Sequence, residues 1–100
     1  MTKTLFKVKY APKANSDLRH IWETIAEHDR DAANRVFDGL NLRASRLREF
    51  PFRDVARPDL GDGARILIER SYIILYRVTE HQVEVIRIVH GAMDLTKLVS

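Results

Sequence analysis

The serine hydroxyls of Ser16, Ser45, Ser71 and Ser100 are the first place to look for a nucleophile, because the 100-residue sequence contains no cysteine. None sits in the Gly-x-Ser-x-Gly elbow of an acyl-transfer serine, and Ser45 falls inside a helical pattern with no histidine near it in sequence. They read as ordinary polar positions. Without cysteine there is no thiolate nucleophile, thiolate metal site or disulfide framework, which fits a reducing cytoplasm. His20 and His28, with Glu23 and Glu27, lie on the polar side of a helical stretch. A two-histidine metal site wants histidines at i and i+4, whereas these are eight residues apart, so a solvated face and no metal are expected. Gly61 and Gly63 lack the strand-turn-helix setting of a phosphate-cradling loop and read as turn glycines, leaving no cofactor implied. His90-Gly91 ends the last apolar run, where a polar side chain can leave a sheet toward a ligand.

Arginine is the other chemical resource. Arg53, Arg57, Arg65, Arg70, Arg77 and Arg87 all lie in the second half, and convergence would make a phosphate-binding surface. Strand alternation argues against one stripe: Arg65 shares parity with Leu67 and Glu69, while Arg70 shares parity with Ile66 and Ile68. Pairing with Glu69, Glu80, Glu84 or Asp94 accounts for them more simply. Trp22, Tyr72 and Tyr76 can stack on bases, but a Trp on an apolar helix stripe belongs to a core. The net charge of +3 permits an acidic or nucleic-acid partner without demanding one.

The elements that must position these groups follow in clear order. Residues 5–10 alternate Phe6, Val8 and Tyr10 with Lys7 and Lys9, as a strand with one wet face does. Ala11-Pro12 ends it. Ser16 or Asn15 can cap a helix outside which Pro12 lies, carrying Leu18, Ile21, Trp22 and Ile25 at helical spacing to about His28. Asp31 opens a second helix with a stripe of Ala33, Val36, Phe37, Leu40, Ala44 and Leu47, in which Gly39 suggests a close helix-helix contact. Phe50-Pro51 stops it, and the stretch to Gly63 reads as loop. Residues 64–70, 72–78 and 83–89 are β-branched runs at hairpin spacing. Ile66-Leu67-Ile68 and the run from Tyr72 to Tyr76 put apolar groups on both faces, so both want cover. Two helices protect one face, which leaves the other to the C-terminal tail or another protein; a partner chain is expected there.

No repeat or linker divides the chain, so a single domain spanning 1–100 is expected, burying roughly 60 to 65% of the surface of its unfolded form. Lys3, Lys7 and Lys9 surround only Leu5-Phe6, too short an apolar run for a signal peptide. No run approaches the roughly 20 apolar residues of a membrane helix.

Several motifs recur in series: Tyr10-Ala11-Pro12-x-Ala14, Asp17-Leu18-x-x-Ile21-Trp22-x-x-Ile25-Ala26, Leu47 with Pro51, and Pro58-x-Leu60-x-x-Gly63-x-Arg65. The run from Tyr72 through Tyr76-Arg77-Val78 and the segment Val85-Ile86-Arg87-Ile88-Val89-His90-Gly91 complete it. In order and spacing, along nearly the whole chain, the series resembles the ParE toxins of the ParE/RelE toxin-antitoxin superfamily. The resemblance implies an α+β fold of order βααβββ, a helical hairpin packed on one face of a small, mostly antiparallel sheet. It also implies a cytoplasmic, non-enzymatic toxin that arrests growth by trapping the cleavage complex of DNA gyrase. A ParD-like antitoxin would neutralise it in a hetero-oligomer, and operator DNA would be met only through that antitoxin. Antitoxin contact is expected at Tyr72, Ile74, Tyr76 and Val85, and target contact at Arg65, Arg87, His90 and Met93. Ala56-Arg57 and Ala92-Met93 depart from the family, which commonly has Gly-Arg and a further Arg there.

The related RelE-like toxins cut mRNA on the ribosome and need basic groups to activate a 2′-hydroxyl and stabilise charge at phosphate. Leu67, Ile73 and Met93 stand where such nucleases tend to carry Lys or Arg, which favours ParE. The nuclease alternative requires Arg65 to converge with Arg77, Arg87 or His90. A third reading, an inactive member retained as partner of a DNA-binding antitoxin, predicts no growth arrest on induction.

Overall fold

In a computed structural model, residues 5–98 are described; Lys3 and Ser100 lie outside them. Strand β1 (Lys7–Tyr10) leads into helix α1 (Pro12–Ala26) and helix α2 (Arg30–Ser45), followed by a 3-10 turn at Arg46–Arg48. A two-residue strand β2 (Val55–Ala56), a 3-10 turn at Pro58–Leu60, and strands β3 (Ala64–Glu69), β4 (Tyr72–Thr79) and β5 (Gln82–His90) come next, with a last turn at Leu95–Leu98. The five strands form one sheet in the order β1-β5-β4-β3-β2. All pairs are antiparallel except β1 with β5.

Both helix starts differ from expectation. α1 begins at Pro12, not after Asn15 or Ser16, because proline's fixed φ and missing N–H suit the first helical position. α2 is capped by Asp29 rather than opened by Asp31: the Asp29 carboxylate accepts from the Ala32 amide at 3.1 Å. The expected loop before Gly63 holds β2 and a 3-10 turn. Gly39 marks no close contact, since a Cβ there would meet nothing within 4 Å. Gly39→Ala is therefore expected to stabilise the protein by about 0.5–1 kcal/mol, raising the thermal midpoint by a few degrees in a calorimetric scan. Gly63 does need to be glycine: its φ is +72°, and a Cβ would lie 2.6 Å from the Val78 carbonyl oxygen.

The sheet separates two apolar layers. Beneath the helices, Leu18, Leu40, Ala44 and Leu47 pack on Leu67, Ile74, Tyr76, Val83, Val85 and Ile88. On the other face Leu75, Val89 and Ala64 are covered by Leu60 and Leu95, from the second and third 3-10 turns. The chain itself, through Leu60 and the C-terminal Leu95, thus supplies the cover that both-sided strands demand, where a partner chain was expected.

A bulge in β5 sets the phase of everything beyond it. Leu75 pairs with Arg87 and Tyr76 with Val85, leaving Ile86 as the extra residue. Val83 and Val85 face the helices before the bulge, and Ile88 faces them after it.

Candidate functional site

Asp17 on α1 holds that bulge. Its Oδ2 accepts from Arg87 Nε at 2.8 Å and from the Ile88 backbone amide at 2.9 Å, while Oδ1 accepts from Arg87 Nη2 at 3.0 Å. This bidentate pairing ties the first half of α1 to β5 and strengthens Arg87's hold on its proton, mainly through the side-chain hydrogen bonds. Beyond the clamp lies a groove of ≈ 390 Å³ between α1 and the strand ends, floored by Ile21, Ile25, Tyr72 and Ile88. His20, His90 and Met93 also line it. Tyr72 meets the His90 ring edge-on at 5.9 Å, and the Met93 amide donates to the His90 carbonyl at 3.0 Å, fixing the turn that presents Met93. Met93 is 48% exposed, a large apolar side chain at the mouth of an apolar groove.

The expected site residues thus divide. Arg87, His90, Met93 and Tyr72 come together. Ile74, Tyr76 and Val85 do not: each is 0% exposed, inside the layer under the helices, and offers no surface to an antitoxin. Their parity with Leu67 and Val83, set before the bulge, turns them inward. Arg65 is also elsewhere. Its Nη1 donates to the carbonyls of Phe52 at 3.1 Å and Asp54 at 2.6 Å, fastening the segment before β2. Ile21, Ile25, His20 and the positioning carboxylate of Asp17 were missed as site residues. The available signal was Asp17's place beside the apolar stripe of Leu18, Ile21 and Ile25, where a carboxylate needs a partner from the sheet.

Arg65 does not converge with Arg77, Arg87 or His90. Arg77 pairs with Glu84 at 3.3 Å and Arg57 with Asp59 at 2.8 Å, while Arg65 and Arg87 are engaged as described. Alternation places Arg77 on the face of the sheet opposite Arg65. Among the described residues no group of three or more His, Asp or Glu can hold a metal ion. A larger cavity of ≈ 600 Å³ between the two helices is lined by Trp22 and Phe37 together with Asn15, Arg19, Asn34, Asp38 and Asn41, and part of its polar lining is committed. Trp22 Nε1 donates to Asn34 Oδ1 at 2.8 Å, and the Tyr10 hydroxyl to Asn41 Oδ1 at 2.7 Å.

Tyr76 gives the fold a pH signature. Its buried hydroxyl lies 3.1 Å from the Pro51 carbonyl and 3.3 Å from Asp54 Oδ2, and burial, then the Asp54 charge, push its pKa well above 10. Above about pH 10 the unfolded chain loses this proton while the native chain keeps it, so stability falls as pH rises, by up to about 1.4 kcal/mol per pH unit. Tyr10 is shifted in the same direction by burial. Urea unfolding followed from about pH 9 to 11 should show this decline, and Tyr76→Phe should flatten it.

A helical hairpin over a five-stranded mixed sheet is a fold this chain shares with solved structures from toxin-antitoxin systems. The chain resembles a solved structure of the chromosomal ParDE toxin-antitoxin system from P. aeruginosa, with TM-score 0.75 and 21% identity over 87% of this chain and 97% of that one. It also resembles one from the RelBE2 toxin-antitoxin complex of Mycobacterium tuberculosis, with TM-score 0.68 and 21% identity over 92% of this chain and 98% of that one. No curated protein sequence matches it. Residues 8–95 match the profile of the family described as "ParE toxin of type II toxin-antitoxin system, parDE". The chain belongs to the ParE toxin family.

Proposed function

We propose that this toxin acts without catalysis in the cytoplasm, by binding DNA gyrase and trapping its cleavage complex, and that a ParD-like antitoxin neutralises it. The family match across residues 8–95 carries this reading. The engagement of Arg65, Arg77 and Arg87 with partners in the fold supports it, since none is left to gather around a phosphate. The groove beside α1 is where antitoxin and target meet the toxin, because Tyr72, expected to contact one, and Arg87, His90 and Met93, expected to contact the other, line it together. Neutralisation is then simple occlusion: a flexible antitoxin segment orders over the apolar floor and excludes the target.

A plasmid supercoiling and cleavage assay with gyrase and ATP tests this. Cleaved DNA should accumulate with the purified toxin and disappear when antitoxin is added first. An inert, folded, monodisperse toxin would overturn the gyrase assignment. The likeness to the RelBE2 structure favours one other reading, ribosome-dependent mRNA cleavage, and mRNA cut by the same preparation on ribosomes would establish it.

A further inference from the structure

At the far end of the sheet from the groove, the chain holds aromatic rings in solvent on a rigid support. Tyr72 and His90 mark the groove end of the β4–β5 hairpin; His81, in its turn, marks the other, roughly 25 Å away along the strands. There Phe6 packs on both His81, at 5.9 Å, and Phe52, at 5.8 Å. Phe52 is 59% exposed and Phe50 40% exposed. Their backbone is not free to fold them inward. Tyr76 holds the Pro51 carbonyl, Arg65 the carbonyls of Phe52 and Asp54, and Arg43 the Asp54 carboxylate at 3.4 Å.

The surroundings of these rings are cationic. Arg53 lies over the Phe50 ring at 4.1 Å and Arg65 over the Phe52 ring at 5.3 Å, and exposed Arg46 and Arg48 line the adjoining hollow with Leu5 and Leu42. Glu49 is the one exposed carboxylate in residues 46–53. We infer that residues 46–53 form a contact site for single-stranded nucleic acid, in which a base stacks on Phe52 and phosphates lie along Arg46, Arg48 and Arg53. Preset aromatic faces beside a run of arginines are what an unpaired strand needs, because every base offers a π-face and every linkage a negative charge. An acidic peptide would answer the arginines but has no use for an outward aromatic ring held in place by three separate anchors. The site is independent of the groove and can be occupied with it.

Fluorescence anisotropy of a short labelled DNA single strand, titrated with the full chain, tests the inference. Binding should weaken with salt, and the single strand should be held more tightly than its duplex. Phe52→Ala should weaken binding about 5-fold or more, while Phe52→Tyr retains it. Arg53→Ala should lower the salt slope. Equal binding by wild type and Phe52→Ala, with both melting normally, would overturn the inference. So would duplex held as tightly as single strand, or binding only to an acidic peptide. Gyrase inhibition is read in a separate assay, so either result can fail alone.

Discussion

Asp17→Ala should lower stability by about 3 kcal/mol and the thermal midpoint by roughly 12–24 °C, the largest loss expected from any single side chain outside the apolar layers. The carboxylate accepts three hydrogen bonds, two from Arg87 and one from the Ile88 amide. Its removal leaves a mostly buried guanidinium without its counter-charge and a bulge amide without an acceptor, and an orphaned partner costs more than the pair contributes. Asp17→Asn keeps one acceptor oxygen and should lose roughly half as much. Arg87→Met removes the stranded charge, so a double-mutant cycle with Asp17→Ala should recover part of the loss. Additive losses in urea unfolding would show that the clamp contributes nothing as a unit. Arg87 substitutions therefore report on folding before they report on a target, and belong beside a melting curve.

Met93→Asp should leave the fold intact, because the side chain is 48% exposed, yet weaken antitoxin binding by roughly 30-fold or more. A carboxylate at the groove mouth must be desolvated against Ile21, Ile25 and Tyr72 when a partner's apolar residues dock. The shared-groove proposal makes a sharper demand: gyrase inhibition should fall with antitoxin affinity in the same variant. Calorimetric titration with the antitoxin, beside the cleavage assay, decides it. Loss of one with the other unchanged would place antitoxin and gyrase on different surfaces.

The strands, the helices and the family were legible in the sequence because each rests on local pattern: period-2 runs, helical stripes and turn residues. That the second face needs cover was legible too, from apolar residues of both parities in one strand, but a partner chain was expected where Leu60 and Leu95 lie. What escaped was phase. The pairing of Tyr76 with Val85 and of Leu75 with Arg87 skips Ile86, and only the partner strand reveals that skip. Ile74, Tyr76 and Val85, whose shared face is set before the bulge, were placed at a partner surface because strand parity does not say which face the helices cover, and the covered face is theirs. The place of Arg65 apart from the groove was not legible either: its acceptors are backbone carbonyls at Phe52 and Asp54, and a carbonyl carries no sequence signal. Pro12 and Asp29 show the usual softness of helix ends, where neighbouring residues compete to cap.

The parallel pairing of β1 with β5 bears on how the toxin is born. Lys7 lies against Gln82 and Tyr10 against Val85, so the first strand waits for almost the last before it has a neighbour. The groove has the same delay, since α1 supplies one wall early and residues 87–93 supply the other only after α2, β3 and β4 have been made. At about 5–20 residues per second, several seconds pass on the ribosome before toxin surface exists at all. Contacts this distant in sequence also form slowly once the chain is released. On the shared-groove proposal, an antitoxin already present in the same cell has a head start and can meet each toxin molecule as that groove closes.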